Sequence, residues 1–535
     1  MKNTWDTTIH YSSYPSIIKK LYKNIYIKYS DKYNIWVDRI SKDNIKNLYW
    51  WFSTPASRDE SQSKIYKFFC IYKVLNQQNS LTDCVILDSD SQRKCLRKKF
   101  PKIKFIVKKK YFFKQIFFIR TIFFFLIQFA FVKLVFFFKK KKNYSSSVTL
   151  FDTFVLNSKK NYNFYSGFKK KINYENLRIV PTFTNLSLVD FFVYVIKFYK
   201  KKNIIFKENF LLFRDLIKYY FFKFRESKIT FNKFYEIDLT DIVYEELNDN
   251  KYLRTVAQSF LNFFFFKRLK YNNVKVTKAV NSFENQIVDK GWNLGVNTYY
   301  PAIDNLGYNI SSHHPQFHYI YPTISEYHAK VLPKKIYVTG RKFIQDRKKF
   351  CKDLDISLVK NIRFLNSNKA NFLINKKDIK VLILLSGIKT HDHFLINLIK
   401  DNYDFFFDNK IRIAFKFHPI LDCLHLFREI NDYKFFYEIK GNGSEIINRS
   451  KIVITSSFTA GLYESLIKGC FTLLCNMHPI DYKLYKSLNF FKNFFFYFEK
   501  GNQLRVIIRK LINKEIYLNK YLKKRVLSFK KDFFY

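Results

Sequence analysis

The chain has 535 residues, of which 48% are hydrophobic and 26% are charged, and this composition excludes a protein that is disordered throughout. The formal net charge of +52 indicates an anionic partner, namely nucleic acid, an anionic membrane surface or an acidic substrate. The excess of Lys, Asn, Ile, Phe and Tyr is also the residue bias of an AT-rich genome, so the charge alone identifies no partner.

The N-terminal sequence and the cysteines both indicate a protein of the cytoplasm. Residues 1–16, MKNTWDTTIHYSSYPS, lack the apolar core of a secretory signal. The seven cysteines are odd in number and form no CxxC pair, which predicts reduced thiols rather than a disulfide framework. A chain of this length is expected to fold into two domains.

The first third of the chain mixes short strands with long helices. Residues 83–92, DCVILDSDSQ, and 146–156, SSVTLFDTFVL, are predicted to contain buried strands because β-branched and apolar residues run together in them. Asp88 and Asp90 resemble a metal-binding Asp-x-Asp pair, but two acids at this spacing after a strand are common. We therefore predict no metal site.

A strongly apolar segment follows at residues 112–142, FFKQIFFIRTIFFFLIQFAFVKLVFFFKKKK. It approaches the length that spans a bilayer, and four lysines close it. Arg120, Gln128 and Lys133 interrupt it, and a charge at the centre of the hydrocarbon is costly. The interruptions favour a helix lying in the interface of an anionic membrane, while a transmembrane span and a buried core helix stay open as alternatives.

The remaining patterns divide the chain. Residues 188–270 are aromatic and helical, which predicts an insertion in the N-terminal half, and residues 334–378 are polar and are interpreted as a linker. The predicted parts are an N-terminal domain over 1–333 with insertions at about 110–142 and 188–270, the linker over 334–378, a C-terminal domain over 379–500 and a helical tail over 501–535.

Strands alternate with helices after residue 378. The order is strand KVLILLSG, helix HDHFLINLIKDNY, strand KIRIAFKFHP, helix LHLFREI, strand KFFYEI, helix GSEIINRS, strand KIVITSS, helix TAGLYESLIKG and strand CFTLLCN. This spacing predicts βαβ units and a parallel sheet, the α/β class with a Rossmann-like domain. In such sheets ligands bind at the carboxyl ends of the strands.

Two of these strands end in polar side chains. Lys416 and His418 alternate with Phe417, so both polar side chains lie on one face of their strand. A later strand ends in the hydroxyl cluster of TSSFT. A cation, an imidazole and hydroxyls at one sheet edge suit a phosphate, whereas a core histidine and a helix N-cap are the alternatives. The residues predicted to hold the anion are Lys416, His418, Pro419, Ser456, Ser457 and Thr459.

The strand end KFHP followed by ITSSFTAGLYESLIKG is similar to the His-Pro and Ser motifs of two-domain, metal-independent glycosyltransferases of the GT-B type. These include bacterial sialyltransferases, polysialyltransferases and capsule transferases, and wall teichoic acid polymerases are similar. The resemblance implies a GT-B-like fold of two Rossmann-like domains, in which His418, Ser456 and Ser457 contact the phosphate of the donor. It implies a nucleotide-sugar substrate, with CMP-linked sugars among the candidates, and no further cofactor. Glu464, on the next helix, would meet the ribose or be a solvated helix carboxylate.

Three further stretches resemble the surface carbohydrate biosynthesis proteins of O-antigen and capsule assembly. They are NLYWWFSTPASRDESQSKIYKFFCIYKVL, SFENQIVDKGWNLGV and GYNISSHHPQFHYIYPTISEYHAKVLPKKIYVTGRKF. This resemblance implies a lipid-linked glycan acceptor and a peripheral position on the inner face of the cytoplasmic membrane. The chain has NISSHHP where a Gln-His would follow Gly-Tyr, so the resemblance leaves open which of His313 and His314, if either, takes the place of the family's histidine.

A sugar transfer with inversion requires a base that takes the acceptor's proton across the cleft from the phosphate. Glu284 in FENQ is the predicted base, because it belongs to the first half and has polar neighbours, and His313 and His314 are the alternatives. His391 and His393 lack a nearby third partner for a metal.

Other functions remain as rivals or lack their motifs. There is no GxGxxG, Walker or GxSxG motif, so dehydrogenase, ATPase and α/β-hydrolase activities lack support. The alternatives to an enzyme are a basic protein that associates with membranes or nucleic acid, and an integral membrane scaffold. The lysines are dispersed and no groove-reading motif appears, so we predict no specific nucleic-acid partner.

Overall fold

The computed structural model describes most of the chain. The described residues are 4–108, 111–137, 147–155, 176–183, 186–221, 229, 231, 233–250, 253–309, 315, 317–359, 377–418, 424–488, 491, 493–513, 526, 528–529 and 531–533. Their strands form three parallel sheets, two of six strands and one of three. The two larger sheets define an N-terminal and a C-terminal domain, which confirms the predicted α/β class.

The strands, in chain order, are β1 (Thr4–Asp6), β2 (Cys84–Leu87), β3 (Lys104–Val107), β4 (Val148–Phe154), β5 (Leu177–Thr182), β6 (Val276–Ser282), β7 (Asp304–Asn309), β8 (Lys335–Val338), β9 (Asp355–Leu358), β10 (Ile379–Leu384), β11 (Ile413–Lys416), β12 (Phe436–Glu438), β13 (Ser450–Thr455), β14 (Phe471–Cys475) and β15 (Phe495–Phe498).

The helices are α1 (Ser16–Asp43), α2 (Leu48–Trp51), α3 (Thr54–Ser57), α4 (Ile65–Gln77), α5 (Asp90–Lys99), α6 (Tyr111–Phe137), α7 (Leu188–Phe198), α8 (Lys207–Phe210), α9 (Phe213–Phe221), α10 (Thr240–Asp249), α11 (Arg254–Tyr271), α12 (Ile287–Tyr299), α13 (Ile324–His328), α14 (Arg341–Arg347), α15 (Lys389–Lys400), α16 (Tyr403–Asp408), α17 (Leu424–Asn431), α18 (Gly443–Arg449), α19 (Gly461–Ile467), α20 (Asp481–Ser487) and α21 (Gly501–Ile512).

The C-terminal sheet has the strand order β12-β11-β10-β13-β14-β15. Counted within the domain this is 3-2-1-4-5-6, the Rossmann order, and every predicted strand of the alternating pattern is present. The central strands are continuous apolar runs, such as Ile452, Val453 and Ile454, because helices cover both faces of the sheet. The order reverses between β10 and β13, and sheets of this kind bind ligands between the loops that follow the two strands at the reversal. This position is called the crevice below.

The N-terminal sheet has the order β5-β4-β6-β7-β8-β9, which reverses between β4 and β6. The three-stranded sheet β1-β2-β3 belongs to the same domain, because Trp5 and Val85 share one core with Val148 and Leu150 of β4. Helices α7 to α11 lie between β5 and β6, which confirms the predicted helical insertion. Two parallel-sheet domains of this kind are the architecture expected for the GT-B type.

The predicted bounds of the linker and of the tail differ from those in the structure. Residues 334–378 contain β8, α14 and β9, which complete the N-terminal sheet. The edge strand β9 is half exposed and contains polar residues, so its sequence is typical of a loop. Helix α21, assigned to the tail, packs into the C-terminal core through Leu504 and Ile508.

Helix α6 covers most of the apolar segment. In the described part of the chain it is the one helix long and apolar enough to cross a membrane, over Ile119–Phe137. Phe125 and Val132 are nevertheless buried in the N-terminal domain, while Phe123 and Leu134 face outward. One face of α6 therefore packs in the protein core, and the opposite face is exposed.

Candidate functional site

The crevice at the reversal of the C-terminal sheet is lined by loops after β10 and β13. His391, in the first turn of α15 after β10, lies with its ring 4.3 Å from the ring of Phe458 after β13. Helix α19 begins beside this crevice at Gly461, where a Cβ would come within 2.5 Å of the Leu384 side chain. The fold thus brings the TSSFT cluster next to the carboxyl end of β10.

His418 also lies at this edge, against the loop after β10. A Cβ on Gly387 would come within 2.8 Å of Nδ1 of His418, and the φ of Gly387 is +86°, so this position requires glycine. The carboxylate of Asp392 fixes the loop by accepting hydrogen bonds from the backbone N–H of Ser386 (2.7 Å) and of Gly387 (2.9 Å). Lys416 ends β11 half-buried, and Pro419 lies outside the described residues.

The predicted hydroxyls have local partners. Ser456 accepts from the backbone N–H of Phe458 (3.3 Å), and Thr459 accepts from that of Gly461 (3.1 Å). Ser457 is fully buried and donates to the carboxylate of Asp481 at 2.5 Å. Glu464 faces Lys468 on its own helix at 3.2 Å. Contact of these residues with a phosphate or a ribose remains a prediction.

A second His-Pro pair, missed in the sequence, follows β14. His478 precedes Pro479, as His418 precedes Pro419, and it follows β14, the neighbour of β13 in the sheet. The carboxylate of Asp481 accepts the backbone N–H of Met477 and of His478, both at 2.8 Å, and so ties this loop to Ser457. The signal was available, because the same dipeptide follows an apolar strand at both places.

The carboxylate of Glu60 meets His478 from the N-terminal domain. Nε2 of His478 lies 3.4 Å from Oε2 of Glu60, and Nε2 of His318 lies 2.9 Å from its Oε1. The hydroxyl of Tyr26 also donates to Glu60. Burial by itself raises the pKa of Glu60, but the imidazoles of His318 and His478 outweigh it and bring that pKa down to about 2. A carboxylate held between two histidines thus joins the domains at the crevice.

His10 comes to the same place from the N-terminal segment. Its ring lies 4.7 Å from that of His391 and stacks on Phe394 at 5.1 Å. Burial, followed by the nearby His478 and Lys19, lowers the pKa of His10 to about 4. Burial, followed by His10 and His478, lowers the pKa of His391. Nε2 of His10 and Nδ1 of His391 have no hydrogen-bond partner among the described residues. These rings are neutral and have unused hydrogen-bonding atoms at the edge of the crevice.

Glu284 belongs to the N-terminal domain and lies two residues after β6, at the reversal of its sheet. Its Oε2 accepts from Nε2 of Gln286 at 3.0 Å. Burial and then the charge of Glu284 raise the pKa of Tyr319. Tyr319 stacks on Phe317 (4.9 Å), which reaches Phe458 of the other domain at 5.3 Å. The side chain of Asn285, the residue after Glu284, donates to the carbonyl of Tyr319 at 2.9 Å, so an aromatic bridge leads from the turn of Glu284 to the crevice. His313 and His314 lie outside the described residues.

The three stretches that resemble surface carbohydrate proteins converge on one buried ion cluster. Glu326 lies 2.8 Å from the guanidinium of Arg58 and 2.5 Å from Nζ of Lys290, and all three side chains are almost fully buried. The side chain of Asn285, beside Glu284, donates to Glu326 as well. The cluster fixes the turn that carries Glu284.

The acidic and histidine pairs noted in the sequence have other partners. Asp88 lies 2.9 Å from Lys64, Asp90 lies 2.7 Å from Arg93, and His393 lies 3.2 Å from Glu429. Within the described part of the chain no group of three or more His, Cys, Asp or Glu side chains is placed to hold a metal ion.

Comparison with known proteins finds similarity only among solved structures. No protein-family model matches the chain, and no curated protein matches it. A Methanocaldococcus jannaschii UDP-GlcNAc 2-epimerase matches with 12% identity and a TM-score of 0.37, covering 72% of this chain and 99% of that one. A UDP-glucosyltransferase from Polygonum tinctorium (10%, 0.41) and Acinetobacter baumannii MurG (8%, 0.35) each cover 72% of this chain and 94% of their own. Likeness at this level assigns no activity to the chain.

Proposed function

We propose that the chain transfers a sugar from a nucleotide-activated donor to a glycan acceptor, with the donor at the carboxyl edge of the C-terminal sheet. The observation that carries the proposal is a row of side chains on neighbouring strand ends: His418, His391, Ser456 and His478 follow β11, β10, β13 and β14. Imidazoles and a hydroxyl at the reversal of a Rossmann-ordered sheet suit the phosphates of a nucleotide.

The N-terminal domain would supply the acceptor side. In a transfer with inversion, the acceptor oxygen bonds to the anomeric carbon while the bond from that carbon to the donor phosphate breaks. The carboxylate of Glu284 would take the acceptor's proton, and the row of imidazoles and hydroxyls would stabilise the departing phosphate. The bridge from Tyr319 through Phe317 to Phe458 supports this division, because Asn285, next to Glu284, donates to the carbonyl of Tyr319 and the bridge ends at the crevice.

The acceptor proposed is a lipid-linked glycan of O-antigen or capsule assembly, met at the inner face of the cytoplasmic membrane. Two observations support it. The three stretches that resemble surface carbohydrate proteins meet at the Arg58, Lys290 and Glu326 cluster. The outward face of α6 is apolar and lies on the domain proposed to bind the acceptor.

Thermal unfolding tests the proposal. The chain is melted with CMP, CDP, UDP, GDP and their sugars at near-physiological ionic strength, with duplex DNA at equal phosphate concentration for comparison. We expect at least one nucleotide to raise Tm with the logarithm of its concentration, since a ligand of the native state stabilises it in that way. Stabilisation by DNA alone, or by none of these ligands, would refute the donor site and favour a basic binding protein.

A further inference from the structure

The outward face of α6 is apolar along its described side chains. Phe123 is 59% exposed and Leu134 is 58% exposed, although both are large apolar residues on one helix. Arg120 is the exposed charged residue on this side. The exposed apolar residues recur at helical spacing: Ile119, Phe123, Ile127, Leu134 and Phe137.

The inward face of α6 is held firmly against the protein. Phe125 and Val132 are buried, and Nζ of Lys133 donates to the carbonyl of Asn209 at 2.7 Å. The guanidinium of Arg254 lies 3.8 Å from the centre of the Phe124 ring. A helix packed against protein on one side cannot be surrounded by lipid, so this packing favours contact with a membrane surface over a span.

Helix α7 extends the apolar face. Val189 is 71% exposed and Ile196 is 58% exposed, with Val193 between them, while Phe191, Tyr194 and Val195 of the same helix are buried. The two helices touch, because the rings of Phe131 and Phe192 lie 4.4 Å apart. Phe131 is about one turn from Ile127 and Leu134, and Phe192 is about one turn from Val189 and Ile196. The outward faces are therefore continuous, and they are called here the α6–α7 surface.

Basic residues border the α6–α7 surface. Lys197, Lys200, Lys201 and Lys202, at and after the end of α7, are all exposed. The sequence has no Asp or Glu between Asp90 and Asp152, a stretch that includes all of α6. In α7 the acidic residue is Asp190, which caps the helix through Ser187. The border of the surface is thus cationic.

We infer that the α6–α7 surface docks on a membrane that contains anionic lipid. Exposed aliphatic and aromatic side chains can enter the boundary between head groups and acyl chains, and the bordering lysines are attracted to anionic head groups. A second copy of the chain fits less well, because it would set two cationic borders against each other. The inference rests on the proposed function only for its purpose, the delivery of a lipid-linked acceptor.

The test measures binding to vesicles of phosphatidylcholine with and without phosphatidylglycerol. The α7 variant Val189→Ser, Val193→Ser, Ile196→Ser changes only the part of the α6–α7 surface that α7 contributes. It should bind anionic vesicles at least ~10-fold more weakly than the parent, since loss of one buried aliphatic side chain is worth about that factor. The variant Ile17→Ser, Ile35→Ser, Val506→Ser changes three exposed apolar residues elsewhere and should bind like the parent.

The lysines are tested in the same way. Lys200→Gln, Lys201→Gln, Lys202→Gln should weaken binding to anionic vesicles, whereas the matched loss of charge in Lys342→Gln, Lys410→Gln, Lys483→Gln should have less effect. Parent-like binding by the α7 variant would overturn the inference. Resistance of the membrane-bound parent to alkaline carbonate extraction would also overturn it, because such resistance indicates a transmembrane span. A parent that binds no vesicles and forms a dimer, which the α7 variant converts to a monomer, would overturn it as well.

Nucleotide-induced stabilisation is measured in parallel. If a variant loses vesicle binding but is still stabilised by nucleotide, the substitution has changed the membrane contact alone. Intact vesicle binding with no nucleotide effect in the parent refutes the proposed function and leaves the surface standing.

Discussion

Nε2 of His478 lies 3.4 Å from Oε2 of Glu60, and this contact joins the C-terminal domain to the N-terminal domain beside the crevice. The same carboxylate lies 2.9 Å from Nε2 of His318 and accepts from Tyr26. Residues from three other parts of the sequence therefore meet at the Glu60 carboxylate, which holds the loop after β14 against the N-terminal domain.

Replacement of Glu60 should loosen this junction. Glu60→Gln keeps the shape but removes the charge that the two imidazoles face, and we expect it to lower the free energy of unfolding by ~1–3 kcal/mol. Denaturant unfolding measures the change. The control is Glu429→Gln, which alters the more exposed pair with His393 and should cost less than ~1 kcal/mol. Equal losses of unfolding free energy in the two variants would show that Glu60 contributes no more to stability than an exposed ion pair.

The donor site is tested by His418→Ala and Ser456→Ala. Each should reduce or abolish nucleotide-induced stabilisation, because each removes a group from a strand end rather than from the apolar core. Ser456→Ala loses one hydrogen bond of 3.3 Å within the loop, so its Tm without ligand should change little. The exposed His328→Ala serves as the control. Parent-like nucleotide stabilisation in both site variants would remove these residues from the donor site.

Glu284→Gln tests the predicted base. The amide preserves the shape and cannot take the proton, so transfer should slow by ~10²–10⁴-fold while the donor still binds, since the donor site belongs to the other domain. Transfer rate and nucleotide stabilisation are measured on the same samples, with Glu445→Gln as an exposed control. An unchanged rate would exclude Glu284 and direct the search to His313 and His314.

Stability should depend on pH through His10. The pKa of His10 falls from 6.5 to about 4 on folding, so between these values the unfolded chain binds the proton more tightly than the native chain. This contribution to stability is complete above about pH 6.5 and declines as the pH falls towards 4. The variant His10→Phe keeps a ring on Phe394 and cannot titrate, so it should lose less Tm than the parent on acidification.

The matched variant for the pH series is His328→Phe, at an exposed position. It should show the pH dependence of the parent. If His10→Phe behaves in the same way as His328→Phe, the acid sensitivity of the protein arises elsewhere.

The C-terminal domain was predictable because its local signals agree. Buried parallel strands such as β13 are continuous apolar runs, and short polar segments separate them from the helices that follow. The position of His418 and Ser456 at one edge followed from that alternation and from the rule that parallel strands end together. The strands β8 and β9 have four residues each, and β9 is half exposed, so neither produces that signal and the predicted N-terminal domain ended before both.

The junction of Glu60, His318 and His478 was not predictable from local pattern. Glu60 and His478 are 418 positions apart, and only the packing of two domains brings them together. The faces of α6 were not predicted, for a related reason. Phe123, Phe124 and Phe125 look alike in sequence, but helical geometry exposes the first and buries the other two at 5% and 3% exposure.

Amide hydrogen exchange, measured with and without the nucleotide that stabilises the chain best, shows directly where that nucleotide binds. We expect slower exchange in the loops that follow β10, β13 and β14, around Gly387, Phe458 and His478, because the donor is held at that edge of the sheet. Exchange that slows at the amino-terminal ends of these strands instead, or that slows nowhere in the C-terminal domain, would contradict it.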